Sequence, residues 1–177
     1  MIYSGKYRVT SPYGERTING KREFHGGIDV VGLGDKYVCA VEDGYVEVSQ
    51  IVTSKSDRTW EWGNYVCVIG DDGKQYYYCH LLRRLVSVGQ KVRAGDHVGV
   101  EGNTGYSLGD HCHFEVRDKS GAIDPCTVLG IPNAIGVYGV DYREECKKKY
   151  GFSDETMAYL DGYEYANDLY RKLYERG

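Results

Sequence analysis

Short apolar runs bounded by turn residues fill most of the chain before residue 135. Residues 64–70 and 74–80 read as two strands joined by Asp71-Asp72-Gly73, whose residue types tolerate positive φ, so a β-hairpin is expected there. Glycines at 95, 99, 102, 105 and 109 punctuate further short strands and turns. Strands that follow one another without intervening helices imply a mainly β fold, built on an antiparallel sheet whose concave face forms a groove.

The pattern changes after residue 135. Asp141 and Glu144 form a capping box and Gly151 sits where a C-terminal cap belongs, which predicts a helix over 142–150. Ser153 caps a second helix that starts with Asp154 and Glu155 and carries the apolar stripe Leu160, Tyr163, Ala166, Tyr170 and Leu173. Short amphipathic helices are not stable alone, so these are expected to pack on the β domain or on another protein. The chain thus divides into a β domain, residues 1–134, and a short α-helical C-terminal extension, residues 135–177.

Composition narrows the function. A hydrophobic content of 41% and a charged content of 27% are ordinary for a globular chain. No apolar run is long enough to cross a bilayer as a helix, so no membrane partner is expected. A net charge of -4 argues against nucleic acid and against purely electrostatic attachment to an anionic surface. The run Lys147-Lys148-Lys149 reads as a solvated helix face. Cysteines at 39, 67, 79, 112, 126 and 146 form no close pair, and several lie in strand-like runs, so they read as reduced core residues of a chain made in a reducing cytoplasm. Residues 1–6 show no secretory signal pattern, which agrees.

Candidate chemistry lies in the histidines. Three of the five fall in His25-Gly26-Gly27-Ile28-Asp29 and His111-Cys112-His113, and His80 ends the run Tyr76-Tyr77-Tyr78-Cys79-His80. Imidazole nitrogen and carboxylate oxygen suit zinc, and a catalytic zinc site needs three protein ligands. Alternation puts His111 and His113 on one strand face and sends Cys112 to the other. His25 and Asp29 share a face if their segment is extended, with Gly26 and Gly27 allowing close backbone approach, and His80 shares a face with Tyr76 and Tyr78. The segments can therefore meet on one polar patch of a sheet. His97 has no such context and reads as an ordinary boundary residue.

Further motifs surround these residues: Thr10-Ser11-Pro12-Tyr13-Gly14-Glu15-Arg16, Ala40-Val41-Glu42-Asp43-Gly44-Tyr45-Val46, Gly63-Asn64-Tyr65-Val66, Val88-Gly89-Gln90-Lys91-Val92, and Gly102-Asn103-Thr104-Gly105-Tyr106-Ser107-Leu108-Gly109-Asp110 leading into His111-Cys112-His113-Phe114-Glu115. From about residue 7 to residue 129 the chain resembles the lysostaphin-type, or LytM-like, zinc endopeptidases that cut peptide bonds in bacterial peptidoglycan. The resemblance implies one zinc per chain held by His25, Asp29 and His113. It assigns His80 and His111 to work on the substrate as catalytic groups, with Tyr13, Arg16, Asn103 and Tyr106 as substrate-binding candidates in the groove. Cys112 stands where leucine is usual, and the stretch from 50 to 62 is longer than the family's short link, so it is expected to form a loop at the groove rim.

A wall hydrolase without an export signal implies a phage or prophage product, either an endolysin or a tail-associated lysin with a phage structural partner on its C-terminal helices; a piece of a longer exported protein would look the same. Two rivals stand beside the enzyme reading. One is a catalytically silent zinc-binding scaffold or activator. The other is a cysteine peptidase using Cys79 or Cys112, which strand alternation disfavours because adjacent residues face opposite ways.

Overall fold

The computed structural model describes residues 1–57 and 59–176. Arg58, inside the expected rim loop, lies outside the described residues. In chain order the strands are β1 (Tyr7–Ser11), β2 (Gly14–Ile18), β3 (Lys21–His25), β4 (Ile28–Gly32), β5 (Tyr37–Cys39), β6 (Gly44–Gln50), β7 (Tyr65–Gly70), β8 (Gln75–Cys79), β9 (Arg83–Arg84), β10 (Lys91–Val92), β11 (His97–Val100), β12 (Cys112–Asp118), β13 (Gly121–Ile123) and β14 (Gly136–Tyr138). The helices are α1 (Pro125–Leu129), α2 (Tyr142–Tyr150), α3 (Asp154–Asp161) and α4 (Ala166–Arg176). The fold is mainly β, as expected, with α1 as one short helix among the strands that the pattern did not predict.

The main sheet runs β10-β6-β7-β8-β12-β4-β1-β14, with β13 paired to β12, and its ladders are antiparallel. The hairpin of β7 and β8 closes through Asp71-Asp72-Gly73, and Gly73 takes the positive φ that this turn requires, 79°. Two-residue alternation decides the faces of the central strands. Cys112, Phe114 and Val116 on β12 line up with Tyr76 and Tyr78 on β8 and with Ile28 and Val30 on β4, and all are buried. Val38, Ala40 and Val98 join this core. The opposite face carries His113, Glu115 and Arg117 beside Asp29, Cys79, Tyr77 and Gln75.

Three expectations need correction. The second C-terminal helix is broken into α3 and α4: the Gly162 N–H bonds back to Tyr159 O and Leu160 O, ending α3, and glycine costs about 1 kcal/mol relative to alanine inside a helix. Tyr163, placed on the apolar stripe, is consequently 57% exposed, and Tyr165 turns instead toward Tyr37 at 5.5 Å. His25 and Asp29 do not share one extended segment, since Gly26 and Gly27 separate β3 from β4. His80 does not share a face with Tyr76 and Tyr78, for a backbone reason given below. In addition, β14 lies in the region assigned to the helical extension, yet it pairs with β1 at the edge of the main sheet.

The caps of α2 and α3 are as the pattern predicts. Asp141 accepts from the Glu144 N–H, Gly151 takes a left-handed φ of 65°, and Ser153 accepts from the Thr156 N–H. The helices bury Tyr142, Cys146, Met157 and Tyr170 in a core of their own. They are fastened to the β domain by Lys6 Nζ to Asp141 Oδ2 at 2.8 Å and by the Asn167 amide donating to Asp35 at 2.9 Å. Among the described residues no helix is long and apolar enough to cross a membrane.

Candidate metal centre

Three atoms converge on the polar face of the sheet. His25 Nε2 lies 3.1 Å from Asp29 Oδ1, His113 Nδ1 lies 3.0 Å from the same oxygen, and the two nitrogens are 3.0 Å apart. Among the described residues this is the one His/Cys/Asp/Glu group able to hold a metal ion. Local structure explains the convergence. Asp29 and His113 are directly opposite each other across β4 and β12, and His25 ends β3 at its only buried position. A Cβ on Gly27 would collide with the Phe114 carbonyl oxygen and press on the His113 ring, so glycine is needed where the chain passes from His25 to Asp29.

The donor set fits a tetrahedral metal. Ligand atoms about 2.0–2.1 Å from a tetrahedral zinc would stand roughly 3.3 Å apart, close to the triangle present here. The electrostatics agree. Burial would raise the Asp29 pKa, but hydrogen bonds from His113 and His25 hold its carboxyl far below the usual carboxylate range. Burial favours the neutral His113 ring, but Asp29 and Glu115 override it and push its pKa to about 9. The Asp29 carboxylate thus holds a proton on the His113 ring, and a metal ion bound here would take that proton's place.

The remaining nitrogen of each ring is tied down, which fixes ring orientation and tautomer. His25 Nδ1–H donates to Pro12 O at 2.8 Å, and His113 Nε2 faces Glu115 Oε2 at 3.5 Å. Glu115 is buried and also paired with Arg117, whose guanidinium lies 5.2 Å over Trp62 and 5.1 Å over Tyr77. Sequence reasoning assigned no role to Glu115 or Arg117. The signal was available, since Glu115 stands two residues beyond His113 and therefore on the same strand face.

His80 and His111 complete the cluster without joining the triangle. His111 Nδ1–H donates to Gly109 O at 2.8 Å, leaving Nε2 3.5 Å from Asp29 Oδ1. His80 has a left-handed φ of 62°, which turns its ring from the core face, where alternation would put it, back toward the site. Its Nδ1–H donates to Thr104 O at 2.8 Å, and its ring centroid is 4.7 Å from that of His111. Burial, followed by the charges of His111 and His113, lowers the His80 pKa to about 4 and keeps the ring neutral at neutral pH.

The loop expected at the groove rim packs beside His80. Its helical turn Trp60–Trp62 accepts the His80 N–H at Trp62 O and the Tyr106 N–H at Glu61 O, at 2.8 and 2.9 Å. Tyr106 meets Trp60 edge-on and remains 69% exposed, and Asn103 is exposed. Tyr13 spends its hydroxyl on Ala122 O and packs edge-on against Phe24. Arg16 points at Asp29 Oδ2, 3.2 Å away, and at Glu23. Cys112 and Cys79 are fully buried, and all six cysteines are unpaired. His97 makes none of these contacts and stacks on Tyr37 at 4.5 Å.

A His/Asp/His triangle flanked by two further oriented imidazoles on an antiparallel sheet is the layout of a metallopeptidase centre. The chain belongs to Peptidase family M23, whose profile matches residues 23–125. It is similar to the peptidoglycan DD-endopeptidase ShyC of Vibrio cholerae, 34% identical over 135 residues that make up 75% of this chain and 29% of that protein. Its fold matches the catalytic domain of the antimicrobial peptidase lysostaphin from Staphylococcus simulans at a TM-score of 0.55 with 31% identity, over 71% of this chain and 91% of that one. The catalytic domain of the prophage-encoded M23 protein EnpA from Enterococcus faecalis matches at 0.56 with 29% identity, over 67% and 88%. The chain spans between 25% and 31% of the length of the first curated relatives it matches.

Proposed function

We propose that this chain is a zinc endopeptidase that hydrolyses peptide bonds of bacterial peptidoglycan, in the cross-bridge or the stem peptide. The observation that carries this is the triangle of His25 Nε2, Asp29 Oδ1 and His113 Nδ1 with two oriented, non-ligand imidazoles beside it. Zinc, when bound, supplies Lewis acidity for the scissile carbonyl and for activating water. The protein supplies the proton chemistry. His111, with Nδ1–H committed to Gly109 O, presents an unprotonated Nε2 next to the triangle and takes the proton of the attacking water. His80, with Nδ1–H committed to Thr104 O, can donate only through Nε2. It therefore acts once His111, whose ring centroid is 4.7 Å away, hands it the proton taken from the water; His80 then stabilises the oxyanion with that proton or returns it to the leaving amine.

All five positions of the constellation are filled, which favours an enzyme over a silent scaffold. The similarity to a prophage-encoded M23 protein supports a phage or prophage lysin, acting on the wall after release from the cytoplasm or from a virion. Incubation with purified peptidoglycan of several bridge types, followed by mass spectrometry of the released fragments, tests the reading and identifies the bond. Activity should vanish with a zinc chelator and return with added zinc. Zinc-loaded protein that releases no peptide fragment from any wall would make the chain a scaffold.

A further inference from the structure

The β2–β3 hairpin contributes a metal donor although little encloses it. Its strands pair only with each other, apart from the main sheet, and an isolated two-stranded hairpin is marginal in water. The hairpin must nevertheless hold His25 within hydrogen-bond distance of Asp29, which belongs to β4. Register provides the means. Gly14 stands opposite His25 and Arg16 opposite Glu23, so alternation places Arg16, Glu23 and His25 on one face of the hairpin. From that face Arg16 Nη1 donates to Asp29 Oδ2 at 3.2 Å and to Ser11 Oγ at 2.9 Å, while Nε donates to Glu23 Oε1 at 2.7 Å and Nη2 lies 2.7 Å from the same oxygen. Ser11 is itself the partner of Asp29 across β1 and β4.

The two oxygens of Asp29 therefore have different surroundings. Oδ1 faces the nitrogens of His25, His113 and His111, whereas Oδ2 faces a guanidinium. A carboxylate can offer a cation either one oxygen or both. We infer that Arg16 is a positioning residue of the metal centre: by holding Oδ2 it makes Asp29 a one-oxygen ligand, and it locks the hairpin that carries His25 onto the strand that carries Asp29. This rests on the metal-centre reading proposed above. A guanidinium has five N–H groups, and these contacts engage four, which leaves little of Arg16 to grip substrate. Lysine cannot replace it fully, because an ammonium lacks the planar fork that spans Asp29 and Glu23 together.

Zinc affinity of the wild-type chain and of Arg16→Met, Arg16→Lys and Glu23→Gln, measured by competition with a chromophoric chelator, tests this, with folding followed by circular dichroism. The wild type should bind one zinc. Arg16→Met should bind about 10- to 100-fold more weakly, the usual loss when a ligand's orienting partner is removed. Arg16→Lys should recover part of the loss, and Glu23→Gln should weaken binding in the same direction by a smaller factor. The visible spectrum of the cobalt-loaded protein should change in Arg16→Met as Asp29 gains freedom to offer both oxygens. A merely structural role would lower the loaded fraction without altering the spectrum. Wild-type affinity and an unchanged cobalt spectrum in Arg16→Met would overturn the inference while leaving the metal centre intact; a wild type that binds no zinc would overturn both. Should Arg16→Met fail to fold, Glu23→Gln decides, because Glu23 touches Arg16 without touching Asp29, and an unchanged affinity there would overturn the inference.

Discussion

The rings of His80 and His111 lie 4.7 Å apart because His80 leaves strand β8 with a φ of 62°. A non-glycine residue in the left-handed region is uncommon and costs of order 1 kcal/mol or more, so the surrounding structure must hold it there. The bond from the His80 N–H to Trp62 O, and those from Thr104 N–H to His80 O and from His80 Nδ1–H to Thr104 O, do so. The rim loop thereby sets the position of the His80 imidazole.

Replacing either His80 or His111 with alanine should leave zinc content unchanged and lower turnover by about 10² to 10⁴, the range for a lost general acid or base. Single-turnover assays on peptidoglycan fragments measure this. Hydrolysis near the wild-type rate would remove that residue from the mechanism.

Asp29→Ala and His113→Ala should lose metal and activity together, because each removes one corner of the donor triangle. Elemental analysis of the purified variants reads the outcome directly. Full zinc occupancy in both would mean that the ion sits elsewhere.

Zinc chelation should abolish activity, whereas a thiol-alkylating reagent should leave the native enzyme active. All six thiols are buried, and burial pushes the Cys79 and Cys112 thiols up, away from the reactive thiolate. Inactivation by alkylation of the folded chain would revive the cysteine-peptidase alternative.

The helical extension should respond to pH through His97 and Asp168, whose Nε2 and Oδ2 are 3.2 Å apart. Asp168, then Cys39, raises the His97 pKa from 6.5 to about 10. Burial would raise the Asp168 pKa, but His97 outweighs it, and the value falls from 3.8 to about 2. The raised histidine contributes fully below pH 6.5 and loses its contribution as pH climbs toward 10; the lowered carboxylate contributes fully above 3.8 and fails as pH drops toward 2. The pair is therefore most stabilising between pH 3.8 and 6.5. His97→Gln should melt lower than wild type at pH 6, by about 2–4 °C for each kcal/mol lost, with the gap closing toward pH 10. Melting curves that stay parallel across that range would exclude the pair as the cause.

Met157→Ala should cost about 2–5 kcal/mol of stability, as for other buried large-to-small changes, since Met157 is fully enclosed by the helical core. Zinc stoichiometry should stay at one, because that core is separate from the one beneath the metal centre. Chemical denaturation with parallel metal analysis checks both. Loss of zinc in the folded variant would show that the extension supports the site.

Much of the β architecture was legible in the chain. The turn Asp71-Asp72-Gly73 and the alternation around it specify the β7–β8 hairpin, since a one-residue slip would carry Tyr76 and Tyr78 out of the core. The caps at Asp141, Gly151 and Ser153 were equally readable, because capping uses only neighbouring residues. The division into α3 and α4 had a local signal in Gly162, but the turn of Tyr165 toward Tyr37, a partner more than a hundred residues away, was not readable.

The candidate residues were singled out in the sequence by itself, the histidines through strand periodicity and the donors His25, Asp29 and His113 through the family resemblance, and Gly27 marks the close approach beside His113. Their final geometry belongs to the tertiary structure. Asp29 meets His113 through a strand pairing that spans 84 residues, and His25 arrives from a hairpin outside the main sheet. The ring tautomers depend on the carbonyls of Pro12, Thr104 and Gly109, and a backbone carbonyl is the same group in every residue. Only the folded path of the chain determines which carbonyl reaches which imidazole, because composition and periodicity describe side chains while these bonds are set by the backbone.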